Sequence, residues 1–195
     1  DRLRLIQALQ DQDVDVRNHG AEALVEIRKG AVPDLIEALQ DQDVDVRYFV
    51  ARTLGYIGER AKEAVPALIQ ALQNQDVDVR QLVKEALVEI GKGAVPGLIQ
   101  ALQNQDVDVR YFVAWALGCI GERAKEAVPG LIQALQDQDV GVRRQVAWAL
   151  GCIGAVEAVP ALIQALQDQN VRRQVAEALG EIGKGAKEAV PALIQ

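Results

Sequence analysis

Apolar and polar positions follow one another in a block that recurs along the whole chain. An Ala-Val-Pro step leads into Leu-Ile-x-x-Leu, as at Leu68, Ile69 and Leu72, and a polar Gln-x-Gln-Asp turn follows. A second apolar stretch with helical period comes next, as at Val46, Val50, Leu54 and Ile57. The pair Val-Arg stands at Val16-Arg17, Val46-Arg47, Val79-Arg80, Val109-Arg110, Val142-Arg143 and Val171-Arg172. All six prolines recur in step, at Pro33, Pro66, Pro96, Pro129, Pro160 and Pro191. Self-similarity of this kind marks a repeat architecture. The Val-Arg spacings are 30, 33, 30, 33 and 29 residues, and the three-residue difference falls in one loop, short at Lys29-Gly30 and longer from Glu59 to Glu63. Repeats one and two therefore read as a tandem copy of repeats three and four, offset by 63 residues.

Each unit predicts two helices. The first starts at the Val-Pro step, with proline in the first turn where its missing N–H is harmless. The second spans about Val46 to Ile57, capped by Asp43 and its counterparts Asp13, Asp76, Asp106 and Asp139, with Asn170 in the last unit. It stops at glycine, as at Gly58, Gly91, Gly121, Gly154 and Gly183. One hairpin cannot bury both of its apolar stripes, so neighbouring hairpins must stack. The chain reads as a single repeat domain over 1–195, with repeats near 14–43, 44–76, 77–106, 107–139 and 140–170 between partial units at 1–13 and 171–195. Asp1, Arg2 and Arg4 look like a partial polar cap, whereas Leu193 and Ile194 lack a following partner, so end-to-end self-association through an uncapped C-terminus is one expectation.

Copies of a repeat act as each other's control. Advancing 100° per residue places Val46, Val50, Thr53, Leu54 and Ile57 on one core arc, with Ala51 and Gly55 as a small-residue stripe for close helix approach. Tyr48, Phe49, Arg52 and Tyr56 share another arc, away from that core, and there the copies differ most. The matching sets are Asn18, His19, Glu22, Glu26; Gln81, Leu82, Glu85, Glu89; Tyr111, Phe112, Trp115, Cys119; Arg144, Gln145, Trp148, Cys152; and Arg173, Gln174, Glu177, Glu181. Every aromatic residue, both cysteines and the single histidine fall in these sets. Aromatics gathered on one arc resemble a recognition surface, with Trp115 and Trp148 about one helix layer, ~10 Å, apart. The partner-binding candidates are Tyr48, Phe49, Arg52, Tyr56, Tyr111, Phe112, Trp115, Cys119, Arg144, Gln145, Trp148 and Cys152. Packing between helices is the plainer alternative, strongest for Phe49 and Phe112. Asp43 and Arg47, with their counterparts, are assigned to a ladder tying successive loops.

Composition narrows the function. The net charge of −7 argues against nucleic acid, which needs a clustered basic face. No apolar run approaches the roughly 20 residues that span a bilayer. Two cysteines make no disulfide framework, so reduced thiols and a cytoplasmic setting are expected. With no serine, Thr53 as the sole threonine and His19 as the sole histidine, nucleophilic pairs lack members. Cys119 and Cys152 fall short of a zinc site. No catalytic residue, metal or cofactor is expected, and no glycine-rich phosphate loop is present.

The motif Ala-Val-Pro-Ala-Leu-Ile-Gln-Ala-Leu-Gln-Asp-Gln-Asp-Val-x-Val-Arg-x-x-Val-Ala-x-Ala-Leu-Gly-x-Ile-Gly, carried across nearly the whole chain, resembles HEAT-like repeats of the phycobilin lyase type and the artificial HEAT-like repeat binders patterned on them. The resemblance implies an all-α fold, a right-handed α-solenoid of about six HEAT-like hairpins. In the artificial binders the diversified positions match Tyr48, Phe49, Arg52 and Tyr56, on second helices lining a concave side. It therefore implies a protein-binding scaffold with an aromatic concave face. The alternative is a lyase-like subunit or chaperone assisting bilin attachment to a phycobiliprotein. HEAT-repeat hydroxylases use His-Glu motifs that one histidine cannot supply, and HEAT-like DNA glycosylases use a basic face. Near-identical frameworks and the absence of serine fit engineering or recent duplication, whereas the shortened junction Gln169-Asn170-Val171 and the free cysteines fit a natural array; both origins stay open.

Overall fold

A computed structural model describes residues 2–183, 186 and 187. The expectations for Asp1, Pro191, Leu193 and Ile194 lie outside these residues. In chain order the α-helices are α1 (Arg2–Ala8), α2 (Val14–Ile27), α3 (Val32–Ala38), α4 (Val44–Ile57), α5 (Val65–Ala71) and α6 (Val77–Ile90). They continue as α7 (Val95–Ala101), α8 (Val107–Ile120), α9 (Val128–Ala134), α10 (Val140–Ile153), α11 (Val159–Ala165) and α12 (Arg172–Ile182). The described residues form hairpins of a short first helix and a longer second helix, the helical repeat fold of an α-solenoid. They gather into two compact units, Asp1–Gly97 and Leu98–Gln195. None of these helices is long and apolar enough to cross a membrane.

The local signals act as their chemistry requires. Asp43 accepts from the Asp45 amide at 2.8 Å, Asp76 from Val79 at 3.0 Å, Asp106 from Asp108 at 2.8 Å and Asp139 from Val142 at 2.9 Å, satisfying donors that a helix start leaves orphaned. These capping residues are themselves held from two residues back, as where the Asp43 amide donates to Asp41 Oδ1 and the Asp76 amide to Asn74 Oδ1. Gly58, Gly91, Gly121, Gly154 and Gly183, which end second helices, all take positive φ, from 61° to 69°, a region that side-chain-bearing residues rarely adopt. The loop of variable length is a 3₁₀ segment, four residues at Gly91–Ala94 and seven at Gly58–Ala64 and Gly121–Ala127.

The last hairpin departs from expectation. Asn170 does not cap α12; Val171 stands at the N-cap in helical conformation with no side-chain cap, and the helix runs 11 residues where α10 runs 14. The shortened junction removes the first turn.

The core arc lies where the period places it. Val46, Val50, Thr53 and Leu54 are fully buried and Ile57 nearly so. Thr53 satisfies its hydroxyl by donating to the Phe49 carbonyl at 2.7 Å. The small-residue stripe brings second helices together within each unit. A Cβ on Gly55 would lie 3.3 Å from Ala86 Cα; on Gly118, 3.1 Å from Ala149 Cα; on Gly151, 2.9 Å from Ala178 Cα.

Loops are joined by arginine, though not through the expected aspartate. Arg47 Nη1 donates to the carbonyls of Asp41 and Gln42 at 2.7 and 2.9 Å, clamping the turn of its own repeat. In the second unit, Arg110 also reaches forward to Asp137 at 2.7 and 3.0 Å, and Arg143 to Asp168 at 3.2 and 3.0 Å. The partners are thus Asp137, two residues before the Asp139 N-cap, and its repeat counterpart Asp168. In the first unit that place opposite Arg47 is Asn74, which lines the same pocket of about 340 Å³, and Arg47 Nε is buried without a partner. The Arg110 hydrogen bond holds the Asp137 carboxyl below the usual aspartate range, and Asp137 raises Arg110 in turn.

Two kinds of measurement check these contacts. Asn74→Asp should give Arg47 its missing carboxylate and stabilise the fold by about 1 kcal/mol in urea denaturation, with Asp137→Asn losing a similar amount. Because the folded pKa of Asp137 is depressed, its contribution is present above the ordinary aspartate pKa of about 3.9 and is lost as pH falls through the lowered value, so wild type and Asp137→Asn should converge in acid. Gly151→Ala should destabilise by about 1–3 kcal/mol through backbone crowding. Gly180→Ala, at the same repeat position but with no described atom within 4 Å of a Cβ, should instead stabilise by about 0.5–1 kcal/mol in the same assay.

Candidate functional site

In the first unit α4 presents the predicted set in graded depth. Phe49 differs most from its expected outward position: it is buried, with Arg17 Cζ 5.2 Å and Arg52 Cζ 4.8 Å from its ring centroid. The helix that packs beside α4 covers that flank of the arc. Tyr48 is half-buried and meets Phe49 edge-on at 5.4 Å. Arg52 is half-buried, its Nη2 donating to Asn18 Oδ1 at 2.7 Å and its Cζ 5.9 Å from the Tyr56 ring centroid. Tyr56 is 66% exposed. His19, on α2, is tied locally, its Nδ1 donating to the Asp15 carbonyl at 2.7 Å.

A cleft of about 390 Å³ opens between α4 and α6, lined by Ala51, Arg52, Gly55, Tyr56, Leu82, Glu85, Ala86 and Glu89. Ala51, Gly55 and Ala86 make its floor, because the glycine lets the two backbones approach closely. Adding 63 to each number gives Ala114, Trp115, Gly118, Cys119, Gln145, Trp148, Ala149 and Cys152 in the second unit. The three floor residues are unchanged and all five others differ. There the indole of Trp148 lies over the floor: a Cβ on Gly118 would collide with Trp148 Cζ3 and stand 2.8 Å from Cε3. The residue that replaces Glu85 fills the twin of the open cleft.

The remaining candidates of the second unit lie on α8 and α10. Tyr111 and Trp148 are each 38% exposed, while Phe112, Trp115 and Gln145 are half-buried. Tyr111 meets Phe112 edge-on at 5.5 Å. Arg144 is exposed, and its Nε donates to the Asn170 carbonyl at 2.7 Å, which binds it to the next repeat. Cys119 and Cys152 are free and exposed. Burial pushes the Cys119 thiol up and the neighbouring Cys152 adds to the shift; burial likewise raises Cys152, with Glu181 adding. Both therefore stay protonated at neutral pH, unlike activated nucleophiles. Among the described residues, no three His, Cys, Asp or Glu side chains form a cluster that would hold a metal.

Leu82, Glu85 and Glu89 belong to the variable sets, and the two glutamates to acidic columns that favour a partner with basic segments, but they are not among the partner-binding candidates named above; they line the open cleft with Arg52 and Tyr56. The signal that finds them is the 63-residue offset to Gln145, Trp148 and Cys152, which are among those candidates.

Comparison with known proteins agrees with this architecture. The chain is similar to a crystallised engineered protein at 24% identity and a TM-score of 0.51, covering 95% of this chain and 97% of that one. It is also similar to a chain from a study of microtubule plus-end tracking by XMAP215, CLIP-170 and EB1, at 16% identity and a TM-score of 0.64, covering 92% and 90%. These likenesses show the fold. The complex of CpcE and CpcF of phycocyanin lyase from Nostoc is matched at 25% identity and a TM-score of 0.43, covering 100% and 94%. No protein with a curated description matches. The family model for HEAT repeats matches residues 3–88, 95–170 and 128–195, and the chain thus belongs to the HEAT-repeat family.

Proposed function

We propose that this chain is a non-enzymatic scaffold that binds a protein partner through the outward faces of its second helices. In the first unit the contact residues are Tyr48, Arg52 and Tyr56, and in the second Tyr111, Phe112, Trp115, Gln145 and Trp148. The observation that carries this reading is the pair of twin clefts. Their floors are identical across the 63-residue offset, as packing demands, while every side chain above the floor differs. A framework held constant under a varied surface is what recognition requires and what catalysis, with its fixed constellation of groups, does not. Exposed tyrosine and tryptophan on rigid helices supply large contact area at little entropic loss.

Affinity capture from a lysate tests it, with wild type immobilised beside a Tyr111→Ala, Trp115→Ala variant. Trp148 is left in place because it packs on Gly118. Circular dichroism and thermal melting should first match between the two chains. A protein retained by wild type and reduced about tenfold or more on the variant is the expected result, since interface aromatics are commonly worth about 2 kcal/mol or more. Equal retention would remove the second unit's aromatic face from the function.

A further inference from the structure

The open cleft of the first unit has a definable occupant. Its twin shows what the floor accepts: part of an aromatic ring set directly against a helical glycine between alanines, as Trp148 Cζ3 and Cε3 lie at Gly118. Over Gly55 that place is open, because Glu85 is exposed and carries no ring. The wall formed by α6 is negative, with Glu85 and Glu89 one turn apart and both exposed. Gln81 Nε2 donates to Glu85 Oε1 at 2.9 Å, which orients that carboxylate. The opposite wall carries Tyr56. Arg52, the cation in the lining, donates to Asn18 on α2 and lies 4.8 Å from the Phe49 and 5.9 Å from the Tyr56 ring centroid, and among the described residues no ion pair joins it to either glutamate.

We propose that this cleft is a socket for a single arginine side chain presented by a basic segment of a partner protein, an inference that rests on the scaffold reading above. Guanidinium is flat, permanently charged and weakly hydrated, stacks on aromatic rings and meets carboxylates with a planar fork. It satisfies the floor, the Tyr56 wall and the acidic wall together. A neutral aromatic ring would fit the floor but desolvate two carboxylates without a partner, and lysine would supply charge without a flat face.

The test is a titration of the full chain followed by amide NMR, using blocked Gly-Arg-Gly, Gly-Lys-Gly and Gly-citrulline-Gly peptides. The arginine peptide should give saturable shifts at Gly55, Tyr56 and Ala86, about threefold or more tighter than lysine, and citrulline should give none. Glu89→Gln should weaken the arginine response. Glu85→Trp, which places in this cleft the residue type that its twin accommodates, should abolish the response while leaving the melting temperature near that of wild type. Equal shifts for arginine and lysine, shifts that survive Glu85→Trp, or no saturable shift at Gly55 would each overturn the socket. Loss of the socket alongside intact discrimination by the Tyr111→Ala, Trp115→Ala capture would leave the scaffold reading standing, since that capture concerns the other unit.

Discussion

The close approach of second helices at one small-residue position is the constraint on which the rest of this structure depends. Gly55 meets Ala86, Gly118 meets Ala149 and Gly151 meets Ala178, at separations that leave little or no room for another carbon. Bringing helices so near lets the valine and leucine stripes interdigitate and stay fully buried, with no core aromatic among the described residues beyond Phe49 at its edge. It also determines the surface. Side chains beside the glycine and beside the alanine that faces it stand at the walls of a shallow cleft, so the identity of the residue before that alanine decides whether the floor is open, as with Glu85, or covered, as with Trp148.

Polar chemistry is concentrated in the turns, and there it is dense. A carboxylate or amide caps the capping residue, and an arginine from the helix start clamps two carbonyls of the same turn. Where the next repeat offers Asp137 or Asp168, the same guanidinium ties two repeats together. Holding the loops this firmly relieves much of the outer face of the second helices of structural duty. That separation lets surface residues vary without loss of fold, as the twin clefts illustrate.

A neighbouring helix divides the arc on which the repeats differ most. Tyr56, Tyr111 and Trp148 keep substantial exposure, Arg144 is bonded to the following repeat, and Phe49 belongs to packing between α2 and α4. Helical angle on a single helix measures distance from its own core, not from the helix stacked beside it. The flank on which Phe49 lies is therefore misjudged by angle alone, and the spacing of Glu85 and Glu89 does not by itself show the cleft that they wall.

Much of the architecture is legible in the chain itself. Proline in the first turn, aspartate before the second helix, glycine at its end and the valine and leucine period each act through local backbone chemistry, so they state helix limits and the buried stripe without reference to distant residues. The repeat length says that hairpins stack. Only the tertiary structure decided that Arg110 pairs with Asp137 rather than with an N-cap aspartate, that α12 loses its first turn, and that one of two equivalent clefts is occupied by indole. Those outcomes depend on which side chain from the next repeat arrives within a few ångströms, and spacing along one helix carries no such distance.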